Sequence, residues 1–368
     1  MTLQVWDAEH PVLALLRKRR SEGSRPGKRN DAFKLGLAVE GGGMRGVVSA
    51  AMLTALDDQG FFNAIDSVYA CSSGAINAAY YLAGGTWFPL SIYFDDLTTL
   101  EFVNVKRAFT KRPILNIDYA FDEVLDKIKP LDYAAILESQ VPLHVAITLV
   151  DEMSTFVTGK LDTEADLRSA LKASSWLPVA LKGTTTYAGK RAIDGGVLTA
   201  LPFRLARNDS CTHILSLSTH AMDVSTEQIS LLNRYTKRHL EKIRPGLGVS
   251  YIRALEQKYE DQKALAEMRN SGNYHEPFIL DLAPLPGTPD VRREEISAAK
   301  ILESARSAYA VMYSALEHKP AASVVSGHVR AVPRLTIVER DENDPRSIRL
   351  INNASGESVA WGAGRTRL

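Results

Sequence analysis

Two short segments of the chain hold the residue types that acyl-ester cleavage needs. One is Glu40-Gly41-Gly42-Gly43-Met44-Arg45-Gly46, the other, about 30 residues on, is Ala70-Cys71-Ser72-Ser73-Gly74. A glycine-rich loop exposes backbone N–H groups that can hold a developing oxyanion. Glycine at 41, 42 and 43 permits both the backbone angles and the close approach of an acyl carbon. The second segment puts a serine between very small residues at a strand-to-helix turn, where a hydroxyl can serve as nucleophile. Ser72 is the better-framed serine. Centring the turn on it places Ala70 and Gly74 at the flanks, whereas centring on Ser73 places the bulkier Cys71 and Ala75 there. Cys71 has no sequence neighbour that would lower its pKa and reads as a packing residue at a strand end.

The elements that must position these segments alternate in type. Residues 34–39 read as a buried strand and 47–56 as an alanine-rich helix ending near Gly60. Residues 67–71 form a second strand and 73–83 a second helix, stopped by Gly84-Gly85. Further strands are expected at 143–150, 190–193, 213–218 and 278–282. Further helices are expected at 118–127, 164–174, 225–243 and 292–316, with Ser225 and Gln228 in capping-box spacing for the third. This alternation predicts an α/β fold with three layers, α/β/α, around a mainly parallel central sheet. A strand is also expected at 335–338.

Composition limits the rest. The chain of 368 residues is 45% hydrophobic with a net charge of +1, enough for a sizeable core and without a global pull towards nucleic acid. Two cysteines, Cys71 and Cys211, give no disulfide framework or cysteine metal site and suggest a reducing, cytoplasmic setting. Residues 67–94 carry no charge, yet Asn77, the serines, Gly84-Gly85 and Pro89 interrupt them, so a buried strand, helix and loop are expected rather than a membrane span. Residues 1–31 read as a polar, basic N-terminal arm, solvated or touching lipid headgroups or a partner. Its Arg17, Lys18, Arg19, Arg20, Arg25, Lys28 and Arg29 are opposed by Glu22 and Asp31. Residues 32–318 read as the catalytic domain and 319–368 as a C-terminal appendage. Oligomeric state is not legible.

Four motifs in this order resemble those of the patatin-like phospholipases, over about residues 32–318. Gly41-Gly42-Gly43-Met44-Arg45-Gly46 is similar to the family's oxyanion loop, and Ala70-Cys71-Ser72-Ser73-Gly74-Ala75 to its nucleophile elbow. Ala173-Ser174-Ser175-Trp176-Leu177-Pro178 resembles a stretch upstream of the catalytic aspartate, and Asp194-Gly195-Gly196 resembles the aspartate motif itself. The resemblance implies a serine acyl hydrolase acting on lipid or phospholipid esters with a Ser72–Asp194 dyad; no cofactor and no metal site are expected, and any membrane contact is expected to be peripheral. Asp194 would be the general base, its pKa raised by burial. Arg45 would either hold the loop or face a substrate phosphate. The departure is Ala70, where the family has glycine. Residues 87–94, Trp87 to Phe94, read equally as acyl-groove lining or core. Three alternatives stay open: a Ser-Asp-His esterase using His213 or His220, a non-catalytic lipid-binding relative, and a dinucleotide site on Gly41, Gly43 and Gly46.

Overall fold

The computed structural model describes residues 5–110, 112–222, 230–319 and 321–325, and three strands beyond them at 336–341, 344–352 and 358–360. Eight strands form the central sheet: β1 (Leu35–Val39), β2 (Ser67–Cys71), β3 (Leu143–Leu149), β4 (Ser154–Val157), β5 (Thr185–Tyr187), β6 (Lys190–Asp194), β7 (His213–Leu217) and β8 (Phe278–Leu282). Their order is β5-β6-β3-β2-β1-β7-β8, with β4 also paired to β3. β3, β2, β1, β7 and β8 are mutually parallel, while the β3–β4, β3–β6 and β5–β6 pairs are antiparallel. The fold is therefore the expected α/β/α arrangement with a mostly parallel sheet, completed by an antiparallel side that the sequence reading did not include in full.

Burial explains why these segments are strands. Every residue of β1 and β2 is buried, as a central parallel strand covered on both faces requires. Side chains alternate between layers. Leu35, Leu37 and Val39 join the larger apolar cluster with helices Val47–Asp58, Ser73–Leu82 and Ala298–Leu316, whereas Ala38 joins a second cluster with Phe203, Ala206 and Leu265 on the opposite face. The pairing Val39↔Ala70 brings the ends of β1 and β2 together, so the glycine loop and the serine turn emerge at one edge of the sheet.

The N-terminal segment corrects an expectation. Residues 11–21 are not a solvated arm but a helix, Pro11–Ser21, with Pro11 opening it and His10 Nδ1 accepting the Val12 N–H at 3.2 Å. Val12, Leu13 and Leu16 are wholly buried along one face. Arg19 is buried too, because it meets carboxylates that are distant in sequence: Asp31 Oδ1 at 2.7 Å and Asp66 Oδ2 at 2.6 Å. It also donates to the carbonyls of Ala64 and Phe33. A charge count along the chain cannot see such partners, and a buried cation is stable only when paired and hydrogen-bonded.

Other boundaries shift. The expected helix at 118–127 is a π-helical segment, Tyr119–Ile128, and the one at 292–316 begins only at Ala298, capped by Ser297. The helix expected from 225 is described as Leu231–Ile243 with Ser230 as N-cap; Ser225 and Gln228 lie outside the described residues. A 25-residue helix, Leu247–Ser271, was not anticipated; Gly246 and Gly272, at φ 92° and 63°, bracket it. The charge-free segment is β2, the Ser73–Leu82 helix, a turn at Gly84 and, where a loop was expected, short helical stretches at Trp87–Leu90 and from Ile92; among the described residues no helix is long and apolar enough to cross a membrane. In the C-terminal segment, Thr336–Asp341, Asp344–Asn352 and Ser358–Ala360 form a separate antiparallel sheet; the expected strand start, Leu335, lies outside the described residues.

Candidate active site

Ser72 sits where β2 turns into the Ser73–Leu82 helix, with φ 55° and ψ −141°. A non-glycine residue at positive φ is strained, and here the surroundings hold it there. Its N–H donates to Ser174 Oγ at 2.9 Å, and Ser174 in turn donates to the Ala146 carbonyl at 2.7 Å. The turn is also too tight for side chains on two sides. A Cβ on Gly74 would stand 2.6 Å from the Val39 carbonyl oxygen, and one on Gly41 would stand 2.5 Å from that of Cys71 and 2.7 Å from Ser72 Cβ. Ala70, by contrast, is an ordinary buried strand residue, paired with Val39 and Val145 and packed in the main core. Its methyl group causes no strain in the turn.

Asp194 arrives from the antiparallel side, as the last residue of β6 opposite Ile147 of β3. Ser72 Oγ donates to Asp194 Oδ2 at 2.6 Å. Asp194 Oδ1 accepts the Gly196 N–H at 2.7 Å, and Thr148 Oγ1 fixes the Asp194 carbonyl at 2.9 Å. Burial pushes the carboxyl pKa up to about 6; the bonds from Ser72 and Gly196 and the charge of Arg293 hold it from rising further. Serine and aspartate, 122 residues apart in sequence, are thus in direct contact.

The glycine loop is less open than its sequence suggested. Gly42 N–H donates to Ser73 Oγ at 3.0 Å, and Gly41 N–H is directed to the Cys71 sulfur. Among the described residues, Gly43 is the one of the three whose N–H makes no hydrogen bond, at φ 61° and pressed against the Arg293 carbonyl. The Arg293 carbonyl itself accepts the Met44 N–H at 3.1 Å. Arg45 is buried, and its Nε donates to Thr219 Oγ1 at 3.2 Å while its guanidinium lies against Gly42. Arg45 also lines the polar cavity beside Ser72. Burial, then the nearby Arg293 charge, lowers its pKa to about 10.

Beneath the loop, Glu40 accepts from Lys258 Nζ at 2.7 Å and from Thr219 N at 2.6 Å and Oγ1 at 2.9 Å. Burial alone would raise its pKa, but Lys258, His220 and Arg45 outweigh that and hold it at about 2. On the other side, Tyr93 donates to Asn77 Oδ1 at 2.9 Å, and Asn77 Nδ2 donates to the Gly46 carbonyl at 2.8 Å. Of these residues, Ser174 lay in a quoted motif. Lys258, Thr219 and Arg293 lay in none, and no local pattern marks them.

The other candidates separate. Cys71 is buried and its thiol is pushed well above its ordinary pKa by burial and by Asp194. His213 opens β7, at the end of the sheet away from Ser72, and is ring-packed against Phe33 and Phe278. His220 faces Asp290, with Nδ1 3.6 Å from Oδ1. Among the described residues, no histidine bonds to Ser72 or Asp194.

Two cavities meet at Ser72. One, of about 590 Å³ and open to solvent, is polar and is lined by the loop, Asp194, Thr236, Tyr251, Lys258 and Arg293. The other, about 650 Å³, is walled mainly by apolar side chains, among them Ile76, Ile92, Leu97, Phe102, Leu115 and Leu125. Ile92 and Tyr93 of the 87–94 stretch line it, whereas Trp87 instead bonds Asp58 at the surface.

The chain is 21% identical over 188 residues to the uncharacterized protein YjjU of Escherichia coli K12, an alignment covering 50% of this chain and 52% of that one. The chain thus spans about half the length of the curated relative it matches. The crystal structure of VipD from Legionella pneumophila aligns over 77% of this chain and 66% of that one, at 13% identity and a TM-score of 0.41. Residues 37–207 match the family model for patatin-like phospholipase. That span takes in the glycine loop, the Ser72 turn and Asp194, so all three lie within the part of the chain that is similar to the patatin-like phospholipases.

Proposed function

We propose that the protein is a serine acyl hydrolase that cleaves lipid acyl esters with a Ser72–Asp194 dyad. The observation that carries this reading is the 2.6 Å bond from Ser72 Oγ to a buried Asp194 whose pKa stands at about 6. A carboxylate near that value is a competent base at neutral pH, where an ordinary aspartate is a poor one. In the proposed reaction Ser72 Oγ attacks the acyl carbon while its proton passes to Asp194 Oδ2. Gly43 N–H is the loop donor open to the resulting oxyanion. Collapse releases the alcohol, which takes the proton back from Asp194. Water, deprotonated by Asp194, then attacks the acyl-serine, and collapse frees the fatty acid as Asp194 returns the proton to Ser72 Oγ.

The two cavities fit an amphipathic ester. The apolar one suits an acyl chain, and the polar one suits the alcohol part, with Arg293 and Lys258 in its wall. That division supports a phospholipase A or lysophospholipase reading. The test is labelling with a fluorophosphonate probe and peptide mapping, alongside hydrolysis of p-nitrophenyl acyl esters by the wild type and Ser72→Ala. The expected result is modification at Ser72 and loss of hydrolysis in a folded variant. Labelling at Ser73 or Cys71, or an active Ser72→Ala protein, overturns the assignment.

A further inference from the structure

The helix Leu231–Ile243 stands beside the polar cavity and contributes Thr236 to its wall. Its inner side is anchored. Leu240 is wholly buried with Leu247, Tyr251 and Leu255, and Asn233 Oδ1 accepts the Tyr251 hydroxyl at 3.0 Å. Gly248 allows the next helix to approach closely, since a Cβ there would stand 2.8 Å from Glu241 Cγ.

The outer side has no such partners. Leu231 is 83% exposed, Leu232 59% and Tyr235 58%, an unusual concentration of large apolar side chains in one turn and a half. Arg234, Arg238 and Lys242 share that side at helical spacing, and none of them forms an ion pair among the described residues. Glu241, the one acid between 231 and 243, is turned away, accepting the Gly246 and Val249 N–H groups at 2.8 and 3.0 Å. The result is a helix tip that is apolar, followed by cations with no counter-charge among the described residues.

We propose that this face docks on an anionic lipid bilayer. Leu231, Leu232 and Tyr235 enter the boundary between headgroups and acyl chains, while Arg234, Arg238 and Lys242 meet lipid phosphates. Both demands of the face, apolar contact at its tip and negative charge along its flank, are met together by such a surface. Docking there holds the mouth of the polar cavity at the membrane, next to the esters that the acyl-hydrolase reading assigns to it. The inference rests on that reading for its purpose and not for its measurement.

The test is sedimentation of the full chain carrying Ser72→Ala, so that lipid is not consumed, with vesicles of phosphatidylcholine alone or with phosphatidylserine added. Anionic vesicles should bind it in preference to neutral ones, less so as salt rises. Leu231→Asp with Leu232→Asp should abolish binding. Arg234→Glu with Arg238→Glu should weaken it by at least tenfold, as each cation near an anionic surface is worth about fivefold. Arg25→Glu with Lys28→Glu, an equal change of net charge at exposed positions elsewhere, should leave binding in place. Circular dichroism and thermal melting establish that each variant is folded. Equal weakening by both charge pairs, no preference for anionic vesicles, or binding that survives the leucine changes overturns the proposal. The last would be expected of a face that serves a protein partner. Vesicle binding by the Ser72→Ala chain, together with no ester hydrolysis by the wild type, supports the docking face while sinking the hydrolase reading, so the two fail separately.

Discussion

Asp194→Asn tests both the chemistry and the electrostatics of the site, because the two respond in opposite directions. The folded carboxyl ionises at about 6 against 3.8 for an unperturbed one, a difference worth about 3 kcal/mol. A carboxyl that is harder to ionise when folded favours the folded state most below pH 4. That advantage is lost as pH rises through about 6, and above it the wild type carries the whole penalty. Asparagine does not titrate. The variant should therefore be more stable than wild type by about 3 kcal/mol at pH 7.5, with the gap closing at pH 4. In thermal melts this appears as a Tm raised by several degrees at the higher pH. The same change removes the proton acceptor, so kcat on a soluble ester should fall by about 10²–10⁴-fold. In the wild type, kcat/KM should rise with pH through about 6 as Asp194 ionises. Parallel melts at the two pH values, with kcat on one ester, make the assay. A variant no more stable than wild type at pH 7.5, or one that keeps its kcat, refutes the reasoning. A collapse of kcat in His220→Gln, with structure intact, refutes the dyad in favour of a histidine base.

Two further changes probe how the site is held. Gly74→Ala drives a methyl group into the Val39 and Glu40 backbone, so it should cost about 1–3 kcal/mol in chemical denaturation and displace the turn enough to depress esterase activity; Ala70→Gly should cost about 1 kcal/mol and leave kcat no higher. Arg19→Leu leaves Asp31 without its buried partner and should cost about 3–5 kcal/mol by the same measurement, whereas a solvated arm would tolerate it.

Where the chemistry depends on local sequence, it was legible. The tight contacts of Gly41 and Gly74 need glycine at fixed offsets from Ser72, and a turn of that kind leaves its mark in the residue types. The central strands were legible for a similar reason, since β1, β2 and β7 are buried on both faces and read as short, mainly apolar and charge-free runs. The antiparallel side was not. β4 and β5 are short, half-exposed strands whose residues, Ser154–Val157 and Thr185–Tyr187, take their conformation from pairing with β3 and β6. Arg19 looked like one more charge in a basic run because its carboxylates come from residues 31 and 66. The state of the loop amides was equally hidden. Glycines promise three donors, but Ser73 and Cys71 claim two of them only once β1 and β2 lie side by side. Lys258 reaches Glu40 across 218 positions, which no motif records.

The meeting of two unlike cavities at Ser72 has a consequence for the order of events after the first half-reaction. On the acyl-hydrolase reading, an acyl group on Ser72 would keep its chain in the apolar cavity, while the departed alcohol would leave the polar one empty. The next nucleophile to reach the acyl carbon then comes by the same polar route, beside Asp194. Water is one candidate, and any alcohol that fits between Tyr251 and Arg293 is another. On the dyad reading, the ratio of hydrolysis to acyl transfer is thus set by how well that one entrance discriminates against hydroxyl compounds, independently of how tightly the fatty chain is held.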